Sequence, residues 1–234
     1  MNSEIRINIV TEGPTEETFV NSLLIDHLQQ FRIFDVRAHS ITTGYSNGRP
    51  RRGGFLRYGH LKKDVIRWLQ QDHTAFVTTM VDLYGLPSDF PNRDQFINNS
   101  NPYTKVEKAE EEFARDINNS RFIPYIQLHE FEGLLFSDVE QIHQSMIASA
   151  SGSLISDLHR LQATRAEFRT PEEINDNPQT APSKRIQQIY LSFQKPTDGI
   201  IIAKRIGINA IRRECSHFDK WLSRLESLSQ QPSI

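Results

Sequence analysis

Ile5-Arg6-Ile7-Asn8-Ile9-Val10-Thr11-Glu12-Gly13-Pro14-Thr15-Glu16-Glu17 is the stretch on which the fold turns. Apolar side chains at 5, 7, 9 and 10 read as a buried first strand. Gly13-Pro14 is a turn signal, and Thr15 is a suitable N-cap for a helix that tolerates Pro14 beside its start. The helix runs to about Gln30, with Phe19, Leu23, Leu24, Leu28 and Phe31 on one face.

The same alternation continues outward. Ile33–Ile41 reads as a second strand, residues 43–57 as a long Gly/Arg loop, and His60–Gln71 as a helix. Ala75–Val81 is rich in β-branched residues and reads as a third strand that ends at Asp82. A Pro/Asn/Asp-rich loop fills 83–103, a helix Thr104–Ile117, and a fourth short strand Phe122–Ile126. Strand and helix in strict alternation predict an α/β fold, a parallel sheet of about four strands flanked by helices. From Ser137 the pattern is mostly helical, with turn-rich connectors at 148–155 and 170–183. The expected organisation is an α/β core over 1–136 and a helical extension over 137–234 packed on it.

Composition narrows the function. A chain of 234 residues with 37% hydrophobic and 24% charged residues is an ordinary globular protein, which excludes a disordered or fibrous one. Its single cysteine, Cys215, excludes an intrachain disulfide and a cysteine-built zinc site, and reads as structural. No run approaches the roughly 18–20 apolar residues of a membrane span. The N-terminus has no basic segment followed by an apolar one, so the expected compartment is the cytoplasm. A net charge of −2 argues against coating nucleic acid by bulk charge. A local basic groove beside an acidic site survives that test. Residues 49–63 carry six Lys/Arg and no acid, 82–116 carry eight acids against four bases, and 184–213 carry seven bases against Asp198 alone. Such an order suits a metal centre flanked by phosphate-binding segments, or simply solvated faces.

Three predicted strands end in acids: Glu12, Asp82, and Glu130 with Glu132. The carboxyl ends of parallel strands share one edge, where ligands bind. Carboxylates from separate elements, with room for water and phosphate, suit Mg²⁺ or Mn²⁺. They also cap helices, complement helix dipoles or are simply solvated, and Glu16, one turn into the helix, fits a metal ligand or dipole complementation. Glu17 is expected to face solvent. Arg51, Arg52 and Arg57, interleaved with Gly53, Gly54, Phe55 and Tyr58, fit a phosphate-gripping loop or an ordinary mobile one.

The run Ile9–Glu17 resembles the opening of Toprim-type domains, in which a glutamate follows the first strand and an Asp-x-Asp motif ends a later one. Val81-Asp82-Leu83-Tyr84-Gly85-Leu86-Pro87 stands where that second motif belongs, and Gln127-Leu128-His129-Glu130-Phe131-Glu132-Gly133-Leu134-Leu135-Phe136 completes the match. With Pro182-Ser183-Lys184-Arg185 and Cys215-Ser216-His217-Phe218, nearly the whole chain resembles domain-of-unknown-function family 4276. That family is related to the nuclease half of the OLD (overcoming lysogenization defect) proteins.

The resemblance implies a Toprim-like, Rossmann-like fold and metal-dependent phosphodiester hydrolysis of DNA or RNA. It makes Glu12 and Asp82 catalytic and metal-ligating, with Glu16 as a further ligand; Glu130, as a catalytic residue and ligand, and Glu132, as a ligand, are the candidates to compensate for a missing acid, the alternative being a single tightly bound metal. The second acid of Asp-x-Asp is missing, because position 84 is Tyr. Lys204 is the candidate for charge stabilisation, with Lys184 and Arg185 as alternatives that also serve, with the three arginines, to bind nucleic acid. His129 is a candidate proton shuttle. OLD-like proteins carry an ABC-type ATPase, and this sequence has no G-x-x-x-x-G-K-[ST] loop. The implied partner is therefore a separate ATPase in an anti-phage system, with self-association left open. The competing expectation, drawn from Tyr84, is a regulatory or scaffold subunit that kept the fold and lost the chemistry.

Overall fold

The computed structural model describes residues 5–46, 49–52, 57–149, 155–175 and 179–230. They form two compact units, Met1–Gln127 with Trp221–Ile234, and Leu128–Lys220.

The first unit opens with β1 (Arg6–Thr11), buried from Ile7 onward as a strand covered on both faces must be. The following helix has three parts: α1 (Pro14–Phe19), a π-helical stretch Val20–Leu24, and α2 (Ile25–Gln29). Phe19, Leu23, Leu24 and Leu28 are buried, as their spacing predicts. Next come β2 (Asp35–Ser40), β3 (Thr42–Ser46), β4 (Arg49–Arg52), α3 (Tyr58–Gln71) and β5 (Phe76–Asp82). The unit continues with α4 (Pro102–Ile117), β6 (Phe122–Ile123) and β7 (Ile126–Gln127).

All pairings of the main sheet are parallel, and its order is β2-β1-β5-β6, with β7 also on β5. The α/β class and the parallel sheet flanked by helices are therefore as expected.

Two local expectations are corrected. Residues 43–57 are not one loop: β3 and β4 pair antiparallel as a hairpin. Thr42, Thr43 and Tyr45 favour a strand despite the surrounding Gly and Arg. The hairpin is moored where the Thr42 N–H donates to Asp64 Oδ2 at 2.8 Å. The fourth strand is also split. Pro124 has no N–H for a ladder, and the Tyr125 N–H turns to Thr79 Oγ1 at 3.0 Å while that hydroxyl donates to the Tyr125 carbonyl at 2.8 Å. One threonine side chain thus replaces the ladder across the break.

The second unit is helical. It contains a 3₁₀ segment Phe131–Ser137, α5 (Val139–Ser149), α6 (Ile155–Ala166), a 3₁₀ turn Pro171–Glu173, α7 (Pro182–Ile189), α8 (Lys195–Ile206) and α9 (Ile208–Glu214). α10 (Ser216–Glu226) begins in this unit. The fully buried Glu172 receives the His217 and Phe218 N–H groups at 3.0 and 2.9 Å, satisfying two orphan donors at the start of α10.

The sequence reading sets its boundary at 136, and the compact units divide at Gln127. The Phe131–Ser137 segment packs on α5, α7, α8 and α9, so the first unit ends at Gln127. Residues from Trp221 onward rejoin that first unit, where the Trp221 ring stacks on Tyr125 with centroids 4.2 Å apart.

Candidate functional site

From β1 the chain crosses to β2 on one side, and β5 then lies on the other. The strand order therefore reverses between β1 and β5, and open α/β sheets bind their ligands outside the carboxyl ends of the strands at such a point. Glu12 and Asp82 occupy those two ends. The Glu12 N–H donates to the Met80 carbonyl at 3.0 Å, extending the pairing one residue past β1. The Asp82 N–H donates to Glu12 Oε2 at 3.0 Å. The backbone of one acid thus holds the side chain of the other, a charge-assisted bond that fixes the carboxylate at the strand end.

Asp82 opens a turn closed by the Gly85 N–H to the Asp82 carbonyl at 3.0 Å. Leu83 is buried and its N–H donates to the Gln127 carbonyl at 2.9 Å, which ties the turn to β7. Tyr84, where a second acid is expected, is 51% exposed.

The neighbouring glutamates have other work. Glu16 is buried, and its Oε2 accepts the Gly13 N–H at 2.9 Å, so it reaches back to the N-cap of α1 as a capping-box glutamate does. Glu17 is half-buried rather than solvent-facing, and it accepts the Ser40 hydroxyl at the end of β2.

Glu130 and Glu132 belong to the second unit. Lys195 Nζ lies 3.1 Å from Glu130 Oε1 and 3.2 Å from Glu132 Oε2. Glu130 Oε2 also accepts the Ser183 hydroxyl at 2.8 Å and its N–H at 3.3 Å. Burial raises the Glu132 carboxyl above its usual range, opposed by Lys195 and reinforced by Glu130. His129, just before this cluster, has φ of +62°, a left-handed conformation in which histidine is less rare than most side chains. Among the described residues, no three His, Cys, Asp or Glu side chains are placed to hold a metal ion. Within the first unit Glu16 turns to Gly13, and within the second Glu130 and Glu132 turn to Lys195.

The lysine that meets carboxylates is thus Lys195 and not Lys204, which is exposed on α8. The two are nine positions apart (204 − 195), and at about 3.6 residues per turn they stand on opposite faces of the helix. That phase was the available signal.

The basic candidates divide similarly. Arg57 is exposed at the start of α3, and Lys184 is exposed with Nζ 3.2 Å from Gln187 Oε1. Arg185 is held internally, with Nε donating to the Thr180 carbonyl at 2.8 Å and the guanidinium 5.2 Å over Phe168. Arg51 and Arg52 are in β4; their side chains, and Gly53, Gly54 and Phe55, lie outside the described residues. Tyr58 is a core residue rather than part of a gripping loop, and its hydroxyl donates to Asp116 at 2.6 Å. Cys215 is buried beside Ser137 at 3.4 Å, and burial pushes its thiol well up, as a structural cysteine requires.

A cavity of about 230 Å³ opens beside the first residues of β1 and β2, at the other end of the strands from Glu12. Its charges are matched within the fold, Arg6 to Asp72 at 3.0 Å and Arg37 to Asp35 at 2.8 Å. No helix among the described residues is long and apolar enough to cross a membrane.

Residues 11–226 match the model of a domain of unknown function, DUF4276, and the chain belongs to that family. The match includes Glu12, Asp82, Glu130 and Lys195. Among solved structures the chain is similar to the C-terminal region of the Xanthomonas campestris pv. campestris OLD protein, at 13% identity over 97% of this chain and 98% of that one, with a TM-score of 0.37. No curated protein matches the sequence.

Proposed function

We propose that this chain is a divalent-cation-dependent phosphodiesterase acting on DNA or RNA, with Glu12 and Asp82 as the carboxylates that hold Mg²⁺ or Mn²⁺. The observation that carries the reading is the Asp82 N–H bond to Glu12 Oε2 at the point where the strand order reverses. Two oxygen-donor side chains on adjacent strand ends fit the cation, since Mg²⁺ is commonly bound by one or two carboxylates with water and substrate phosphate completing its shell. When bound, the cation supplies Lewis-acid activation of a phosphoryl oxygen and of water. The chain orients the Glu12 carboxylate through the Asp82 amide and leaves Tyr84 exposed in the turn that follows Asp82. The resemblance to OLD nuclease halves supports a separate ATPase partner in an anti-phage setting as part of the same proposal.

The test is hydrolysis of single- and double-stranded DNA and RNA with and without Mg²⁺ or Mn²⁺. The wild type should cut in a metal-dependent way, and Glu12→Gln and Asp82→Asn should remove the activity without unfolding. A second reading, a regulatory subunit without catalysis, is favoured by Tyr84 at the second acidic position. It predicts that Glu12→Gln changes nothing the protein does.

A further inference from the structure

Gly85 is a glycine whose backbone does not require one. Among the described residues the only glycine with positive φ is Gly207, at +76°, between α8 and α9. Gly85 lies outside that left-handed region, so an L side chain is compatible with its turn. What a side chain meets there is Glu12. A Cβ on Gly85 would stand 3.0 Å from Glu12 Oε2, 3.1 Å from Oε1 and 3.4 Å from Cδ. By contrast, a Cβ on Gly59 meets nothing within 4 Å. The Asp82–Gly85 turn therefore grips the carboxylate from two sides: the Asp82 amide binds Oε2 at 3.0 Å, and the bare Cα of Gly85 lets both oxygens lie against the chain.

We infer that Gly85 is the positioning residue of Glu12: the absence of its side chain sets where the carboxylate sits, and with it the affinity of the site for a divalent cation. The metal half of this inference rests on the reading under Proposed function; the placement of the carboxylate does not. A methyl group at position 85 must shift the Glu12 oxygens by a few tenths of an ångström, which perturbs the bond from the Asp82 amide. Losses of about 10- to 100-fold in metal affinity are usual when a ligand's support is removed.

The experiment compares wild type, Gly85→Ala, Glu12→Gln, and Gly85→Ala combined with Glu12→Asp, whose carboxylate is one methylene shorter. Two quantities are read: the Asp82 amide proton shift in metal-free protein, and the Mn²⁺ dissociation constant. Gly85→Ala should move the Asp82 amide upfield, in the direction of Glu12→Gln, and weaken Mn²⁺ at least tenfold. The double variant should recover part of both. An Asp82 amide and a Mn²⁺ affinity unchanged in Gly85→Ala would overturn the inference. Wild type that binds no Mn²⁺ would sink the metal reading, while the amide shift still decides the placement of Glu12. Should Gly85→Ala fail to fold, folding restored in the double variant supports the steric account, and folding not restored overturns it.

Discussion

The indole N–H of Trp221 donates to Thr78 Oγ1 at 2.9 Å, joining the C-terminal half of α10 to the middle of β5. Both groups are buried, and the Trp221 ring stacks on Tyr125 at an interplanar angle of 13°. A second tie lies further along, where His27 Nε2 and Glu226 Oε1 are 2.6 Å apart.

Trp221→Phe keeps a ring against Tyr125 but leaves the Thr78 hydroxyl without its indole donor. An unmet buried polar group costs about 1–3 kcal/mol. Trp221→Ala also empties the ring's site and should cost about 3–5 kcal/mol, the usual range for such truncations. Urea denaturation of both variants measures the difference; equal stability of Trp221→Phe and wild type would contradict the bond's role.

Lys195 and Lys204 share a helix and should behave differently. Lys195→Ala leaves Glu130 and Glu132 facing each other without their cation, and we expect a loss of at least about 1 kcal/mol, reduced from the fully buried case by the lysine's partial exposure. Lys204→Ala, on the exposed face, should stay within about 0.5 kcal/mol of wild type. Chemical denaturation at pH 7 reads both.

Glu132 makes stability pH-dependent. Burial raises its carboxyl in the folded state above the ordinary value of 4.5. The folded form therefore holds its proton more tightly than the unfolded form. The associated stability is fully present below pH 4.5 and is lost as pH rises from there through the raised folded value. Glu132→Gln removes this term. The stability difference, wild type minus Glu132→Gln, should fall steadily as pH is raised from 4.5 toward neutrality. A flat or rising difference in pH-stepped urea titrations would reverse the assigned sign.

Much of the fold was legible because it is written locally. The largely apolar and β-branched runs Ile7–Val10 and Val77–Val81 are nearly fully buried in β1 and β5, and they deliver Glu12 and Asp82 to the strand ends expected of them. What local pattern does not carry is partnership. Thr79 takes over the broken ladder at Tyr125 through a side chain 46 residues away. Trp221 returns to Thr78 across 143 residues, so the sequence alone assigned it to the helical extension. Glu16 reads in the sequence as a metal ligand or as dipole complementation, and its bond from the Gly13 amide was not legible because it depends on the entry angle of α1. The Lys195 pairing follows from helical phase relative to Glu130 and Glu132, and composition, which drew attention to Lys204, contains no phase.

The central claim is that Glu12 and Asp82 hold a divalent cation, and its most direct measurement is calorimetric Mn²⁺ titration. Wild type, Glu12→Ala and Asp82→Ala are titrated side by side, with folding checked by circular dichroism. The account predicts saturable binding by wild type and its loss in both folded variants. Wild type that binds no Mn²⁺, with or without nucleic acid present, or variants that bind as wild type does, would contradict it.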